Sequence, residues 1–471
     1  MQKVKRIRNM KFPHTDKMWK EVLDFLEFHN YLEFTTLAPV EFCAQLLKST
    51  PYEWSYWKGI NEFDCLILHK GMLDRLKDNY LKDFKTDFDY IYGNAVFVVL
   101  IKKNLNSVRL TGVPNHFNLN VNSSIEKKVV TKKNVMNILL VTANNNGNIG
   151  DDAITYAAFD MILEIYPKAH IIIDKAPASK SIISQVDMLI IGGGGIFYDN
   201  DFYNAQNYCQ YFLYAHEAGV KSCAIGIGAL GRRTTLGNEL FKKALNLTEF
   251  IVVRDKESKK SLVETIRTTS AVIIKQDIAF TLKPKGNYLL KRSTNKPVLL
   301  FSLTDASNKK NFENYHHAQK QCMQMLVKHF EVKLLVQSQD DLSFYKDLQN
   351  IFKLDIIVLK FKDIKKIISL YQQSDLVITA RLHSLIFSAL AHVPIITIST
   401  ERNASKLDIL INDSLPSARQ GHINMHNYSI EALNAKVIDY FVDKSKYIVS
   451  SDEVKNCCSI AQSTKDQLSN F

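Results

Sequence analysis

Arg381 and His383 stand where the apolar run 376–379 gives way to a helical pattern that begins at Leu382. A helix start already favours negative charge, because its first N–H groups are unpaired and its dipole points positive end outward. A fixed cation there opposes the dipole, so an anionic partner explains Arg381 better than stability does. A guanidinium grips a carboxylate or phosphate bidentately, and an imidazole, with an ordinary pKa near roughly 6.5, suits proton transfer around neutrality. The pair therefore points to a small phosphorylated anion.

Four further clusters fall at the ends of strand-like runs. The turn Asn144 to Gly150, ending in Gly150-Asp151-Asp152, opens a helical pattern, and either carboxylate could cap that helix or orient a substrate hydroxyl. Gly192, Gly193, Gly194 and Gly195 follow the apolar run 186–191, where missing side chains let backbone approach a ligand or simply make a tight turn. Gly226 and Gly228 fall at the end of a third run, and Arg254 with Asp255 at the end of a fourth, 250–254, as a cleft cation or a plain ion pair. None of the glycine groups has the spacing of a dinucleotide fingerprint or a P-loop.

Elements that could position these residues alternate in the α/β manner. Runs 136–142, 169–174, 186–191, 221–227, 250–254 and 271–274 read as parallel strands joined by helices. The series restarts at 297–303, 330–337, 354–359, 376–379 and 394–398. The expected organisation is an N-terminal α/β module (1–105), a basic linker (106–133), a first Rossmann-like domain (134–282), a linker (283–296), a second Rossmann-like domain (297–430) and a helical tail (431–471). The fold class is α/β, with two doubly wound domains facing a cleft. In the N-terminal module, 17–28 and 41–47 read as helices, and 64–68 and 95–102 as strands.

Composition agrees with that division. A chain of 471 residues exceeds one core, since cores stop growing near roughly 250–300 residues. With 60 Lys and Arg against 48 Asp and Glu, the net charge of +12 favours anionic partners. Nucleic acid is disfavoured, because no zinc-finger, RNP or bZIP pattern accompanies the charge. The seven cysteines form no metal-binding spacing and read as reduced thiols in a cytoplasm. No apolar stretch reaches the roughly 18 residues of a membrane span.

Taken in order, the asparagine-rich turn with Gly150-Asp151-Asp152, the Ile191 to Gly195 loop, Gly226-Ile227-Gly228, Arg254-Asp255 and Arg381-Leu382-His383 resemble the polysaccharide pyruvyl transferase family. The likeness covers roughly residues 134–400. It implies an architecture similar to the GT-B glycosyltransferases and transfer of a pyruvyl group from phosphoenolpyruvate, as co-substrate, to a sugar as a ketal. His383, Arg381 and Asp151 are then expected in catalysis, with Arg254 and the glycines in binding, and with no metal or other cofactor. The implied acceptor is a sugar of a surface polysaccharide or its lipid-linked precursor, which would bring the protein to the inner face of the cell membrane. A nucleotide-sugar glycosyltransferase and a non-catalytic glycan-binding or scaffold subunit are the alternative readings.

Overall fold

The structure is a computed structural model that describes residues 12–78, 80–105, 135–144, 146–231, 233–303, 312–399, 404–424 and 430–471. The expected basic linker, 106–133, lies outside them.

The N-terminal module is a five-stranded sheet of β1 (Thr36–Ala38), β2 (Ser49–Pro51), β3 (Cys65–His69), β4 (Phe88–Gly93) and β5 (Phe97–Lys102), in the order β2-β1-β3-β5-β4. The segment expected as a helix at 41–47 is a 3-10 turn, Val40–Ala44. Two of the strands missed in the sequence, β1 and β2, have three residues each, too few to register a period of two.

The first doubly wound domain carries β6 (Asn137–Val141), β7 (His170–Asp174), β8 (Met188–Gly194), β9 (Lys221–Ile227), β10 (Phe250–Val253) and β11 (Ala271–Ile274), all parallel, in the order β11-β10-β9-β8-β6-β7. The second carries β12 (Val298–Ser302), β13 (Glu331–Val336), β14 (Asp355–Val358), β15 (Leu376–Thr379), β16 (Ile395–Ser399) and β17 (His422–Asn424), also parallel, in the order β14-β13-β12-β15-β16-β17. Central strands such as β8 and β15 are buried along their whole length, as helix layers on both faces require. Strand order reverses between β6 and β8 in one sheet and between β12 and β15 in the other. Open α/β sheets bind ligands at the carboxyl ends of such switch points. The asparagine-rich turn leaves β6, the glycine run ends β8 and Arg381 leaves β15.

The N-terminal module shares a core with the first domain. Val40 and Trp54 pack among Phe202, Phe212 and Phe241, and the Trp54 ring lies 6.3 Å from that of Phe202. Phe202 holds a left-handed backbone, φ 77°, at the start of the helix Tyr203–Ala218. A bulky residue there is strained and persists only under surrounding packing. Buried Glu53 accepts a hydrogen bond from Gln210 at 3.2 Å and one from Gln206, and Tyr203 donates to Glu41 at 2.8 Å. At the other end of the chain, helices Ser451–Gln462 and Thr464–Ser469 return to the first domain. Tyr166 donates to the Leu468 carbonyl at 2.9 Å, and Phe471 meets Phe250 at 5.4 Å.

No helix among the described residues is long and apolar enough to cross a membrane. None of the seven cysteines is paired. Replacing Trp54 with Ala should cost about 3–5 kcal/mol of stability, a figure general for buried aromatic truncation, and chemical denaturation of the full chain measures it.

Candidate functional site

Asn148 starts the helix Ile149–Ile165. Its side chain accepts from the Gly150 N–H at 2.9 Å and the Asp151 N–H at 3.4 Å. The expected capping role of Asp151 or Asp152 is thereby corrected: the amide of Asn148 reaches the orphan donors, and both carboxylates lie in the first helical turn. The same turn crosses to the second domain. Ile149 N–H donates to the Gln337 carbonyl at 2.9 Å, and Gln339 N–H donates to the Gly147 carbonyl at 2.8 Å. These bonds form a small antiparallel bridge, Asn148 with Ser338, that joins the carboxyl edges of the two sheets.

Across this junction His383 meets Gly150. A Cβ on Gly150 would overlap the imidazole, so only glycine lets the two helix starts approach this closely. On its other side, His383 Nε2 lies 3.5 Å from Asp277 Oδ2, an ion-pair distance rather than a hydrogen bond. Asp277 also accepts from Arg254 Nη1 at 3.1 Å and from the Ala279 N–H at 3.0 Å. This carboxylate is buried, yet it is held well below the usual carboxylate range. Burial itself works the other way and is outweighed by His383, Arg254 and the Ala279 N–H.

Asp151 behaves oppositely. Burial raises its pKa, and His383, Arg254 and Lys406 only partly offset that rise. Two carboxyl groups in one site are thus pushed apart, which separates an anion that orients from a group that can carry a proton. Arg381, the residue at the cap position of the helix Leu382–Ala391, pairs with the buried Asp341. The anion anticipated for its guanidinium is in part this protein carboxylate. Its Nε and the His383 Nε2 are nevertheless buried without a hydrogen-bond partner among the described residues, as is unusual for buried polar atoms. Beneath the helix start, Gln337 donates to Ser384 at 2.8 Å and to Tyr371 at 2.9 Å, which fixes the floor of the cleft.

Asn148, Asp151, Gly195, Arg254, Gln337, Arg381, His383 and Lys406 line one cleft of about 610 Å³, open to solvent. The structure thus brings together His383, Arg381, Asp151, Arg254, Gly150 and Gly195. Gly194, whose own Cβ would sit 3.2 Å from Asp151 Oδ1, borders it, and Gly228 lies against Arg254. At Gly228 a Cβ would come within 2.9 Å of the guanidinium, so the residue gives Arg254 its room. Gly192, Gly193 and Gly226 face inward instead, against Leu140, Ile154 and Ile278 respectively. Gly192 to Gly194 also continue strand β8 rather than forming a loop beyond it.

Asp277, Lys406, Asp341 and Asn148 went unread in the sequence as site residues. Asp277 was within reach, since it stands just past β11 at the same kind of strand end that singled out Arg254. Lys406, on the helix Ala404–Asp413, carries no such signal. Because the folded pKa of Asp277 is depressed, its ion pairs stabilise the protein above its unfolded value, near roughly 3.9, and this contribution is lost as pH falls through the folded value. In Asp277→Asn that pH-dependent part is missing. The stability gap to the parent, read from urea midpoints, should therefore narrow as the pH is lowered below about 4.

The sequence model of the polysaccharide pyruvyl transferase family matches residues 148–402. No curated protein sequence matches the chain. Among solved structures it is similar to the UDP-GlcNAc 2-epimerase of Neisseria meningitidis bound to UDP-GlcNAc, at 14% identity and TM-score 0.43, covering 70% of this chain and 100% of that one. It is also similar to the UDP-GlcNAc 2-epimerase of Methanocaldococcus jannaschii, at 12% identity and TM-score 0.43, with 71% and 99% covered. Sucrose-phosphate synthase from Thermosynechococcus elongatus is similar at 10% identity and TM-score 0.42, with 71% and 98% covered.

Proposed function

The chain belongs to the polysaccharide pyruvyl transferase family, and from that premise we propose that it moves the pyruvyl group of phosphoenolpyruvate onto a sugar as a ketal, releasing phosphate. The observation that carries the reading is the convergence of Arg254, Arg381, His383 and Lys406 on one cleft, with Arg381 Nε and His383 Nε2 unsatisfied. Phosphoenolpyruvate carries its carboxylate and its phosphate on the same carbon, and its charge needs this density of bidentate and point donors. The reading invokes no metal or other cofactor.

The chemistry follows from the two carboxyl environments. His383 delivers a proton to the methylene carbon, and the positive character that develops at the neighbouring carbon draws in one sugar hydroxyl. Asp151, pushed upward by burial, accepts the proton of that hydroxyl. Phosphate then leaves with the C–O bond electrons, its charge held by Arg381 and Arg254. A second hydroxyl closes the ketal, and its proton goes to the departing phosphate. One proton enters the new methyl group and one leaves with phosphate, matching the two lost from the sugar hydroxyls, and the proton on Asp151 passes back to His383 before the next turnover. Asp277 stays anionic throughout and keeps Arg254 and His383 in register. The acceptor in this reading is a sugar of a surface polysaccharide or of its lipid-linked precursor, which would bring the protein to the membrane surface.

The test is phosphate release from phosphoenolpyruvate over soluble and lipid-linked glycans, followed by mass analysis for the added pyruvyl group. Arg381→Ala and His383→Ala should each lower turnover at least about a hundredfold, and unchanged turnover in either sinks the assignment. Gly150→Ala should do the same while remaining folded by circular dichroism, because its new methyl group displaces the imidazole.

A further inference from the structure

A second cavity lies at the seam between the N-terminal module and the first domain, with about 1140 Å³ of space open to solvent. Its walls are Tyr56, Trp57, Lys77 and Asp78 from the module, and His216, Glu217 and Leu247 from the domain. The module half lies outside residues 148–402, so the family match does not account for it.

The walls are bonded to one another across the seam. Tyr56 donates to Glu217 at 3.2 Å, the Asp78 N–H donates to the other oxygen at 3.0 Å, and Lys180 bridges Asp78 at 2.8 Å and Glu217 at 3.0 Å. Lys243 lies 4.8 Å over the Trp57 ring and holds it in place. The side chains of Lys77 and His216 make no such bond among the described residues and remain available as donors.

The lining chemistry narrows the occupant. Two aromatic rings and a single aliphatic residue are too polar for a lipid chain, while Asp78 and Glu217, although each pairs with Lys180, set two carboxylates against a polyanion. A neutral polyhydroxylated molecule fits both terms, laying its C–H face on an aromatic ring and its hydroxyls against the charged groups. We propose that this seam is a second saccharide-binding site, which holds a neutral glycan segment remote from the reacting sugar. The proposal rests on the reading that the acceptor is a glycan. The helix Tyr203–Ala218 separates the two places, with its start beside the cleft loop and its end carrying His216 and Glu217, a span of about 24 Å. A polymer bound at the seam would thus be held well away from the sugar that reacts.

Binding is measured on the full chain without phosphoenolpyruvate, by tryptophan fluorescence and calorimetry, with neutral oligomers of glucose, galactose, N-acetylglucosamine and N-acetylmannosamine as probes. Trp19 and Trp54 are buried, so ligand-induced quenching reports on Trp57. At least one oligomer should quench saturably, and Trp57→Ala and His216→Ala should each weaken its calorimetric Kd about tenfold or more, equivalent to 1.4 kcal/mol. Both variants should keep the parent's thermal shift with phosphoenolpyruvate. The proposal is overturned if no oligomer binds, if neither substitution weakens binding, or if Arg381→Ala abolishes it. Saccharide binding that survives alongside absent pyruvyl transfer would refute the proposed reaction and leave the seam site standing.

Discussion

A single buried carboxylate, Asp277, is the constraint on which the cleft depends. It comes from the end of the first sheet, yet it neutralises Arg254 from its own domain and faces His383 from the other. A buried guanidinium without a counter-charge would be costly, and an unpaired buried carboxylate equally so. Asp277, together with Asp255 at 3.6 Å from Arg254 Nε, makes the buried guanidinium tolerable, and the guanidinium does the same for Asp277. The arrangement compensates Arg254 from within its own domain and sets it in the same cleft as Arg381, His383 and Lys406.

That electrostatic clamp works only if the two sheets keep their carboxyl edges in register, and several contacts serve this end. The Gly147 to Ile149 backbone pairs with the end of β13, so the turn that starts one domain's helix is held by the other domain. The C-terminal helices return across the first domain, and Gln276 reaches Ser414 at 2.7 Å. On the outer side, Trp54 of the N-terminal module backs the strained turn at Phe202, just beyond the loop that leaves the glycine-rich strand. The module is therefore part of the first domain's packing and also one wall of a groove of its own.

The glycines illustrate how far a local pattern can be read. Their clustering at strand ends signalled close approach, and close approach is what they provide. The partner differs from one to the next: Gly150 admits His383, Gly228 admits Arg254, and Gly192 and Gly193 admit side chains of the first domain's own strand and helix. The glycine pattern reports that space is needed and carries no information on what fills it. Arg381 is a similar case, since its position at a helix start implied an anion, and part of that anion is Asp341, forty residues earlier in the chain.

The strand periods, the restart of the α/β series after residue 296 and the residue types at strand ends were all determined locally, because burial on both faces and capping chemistry act within a few residues. They were enough to specify two doubly wound domains and to pick out Arg254, Arg381, His383 and Asp151. Short strands such as β1, β2 and β17 escaped, since three residues cannot display a period. Only the tertiary structure decided that Asp277 holds Arg254 and faces His383, that Lys406 joins the cleft and that the N-terminal module closes a second groove; the Asn148 cap, whose bonds run two and three residues along the chain, is a local feature. The physical reason is common to these three: each depends on which distant segments meet, and that meeting leaves no trace in the local spacing of residues.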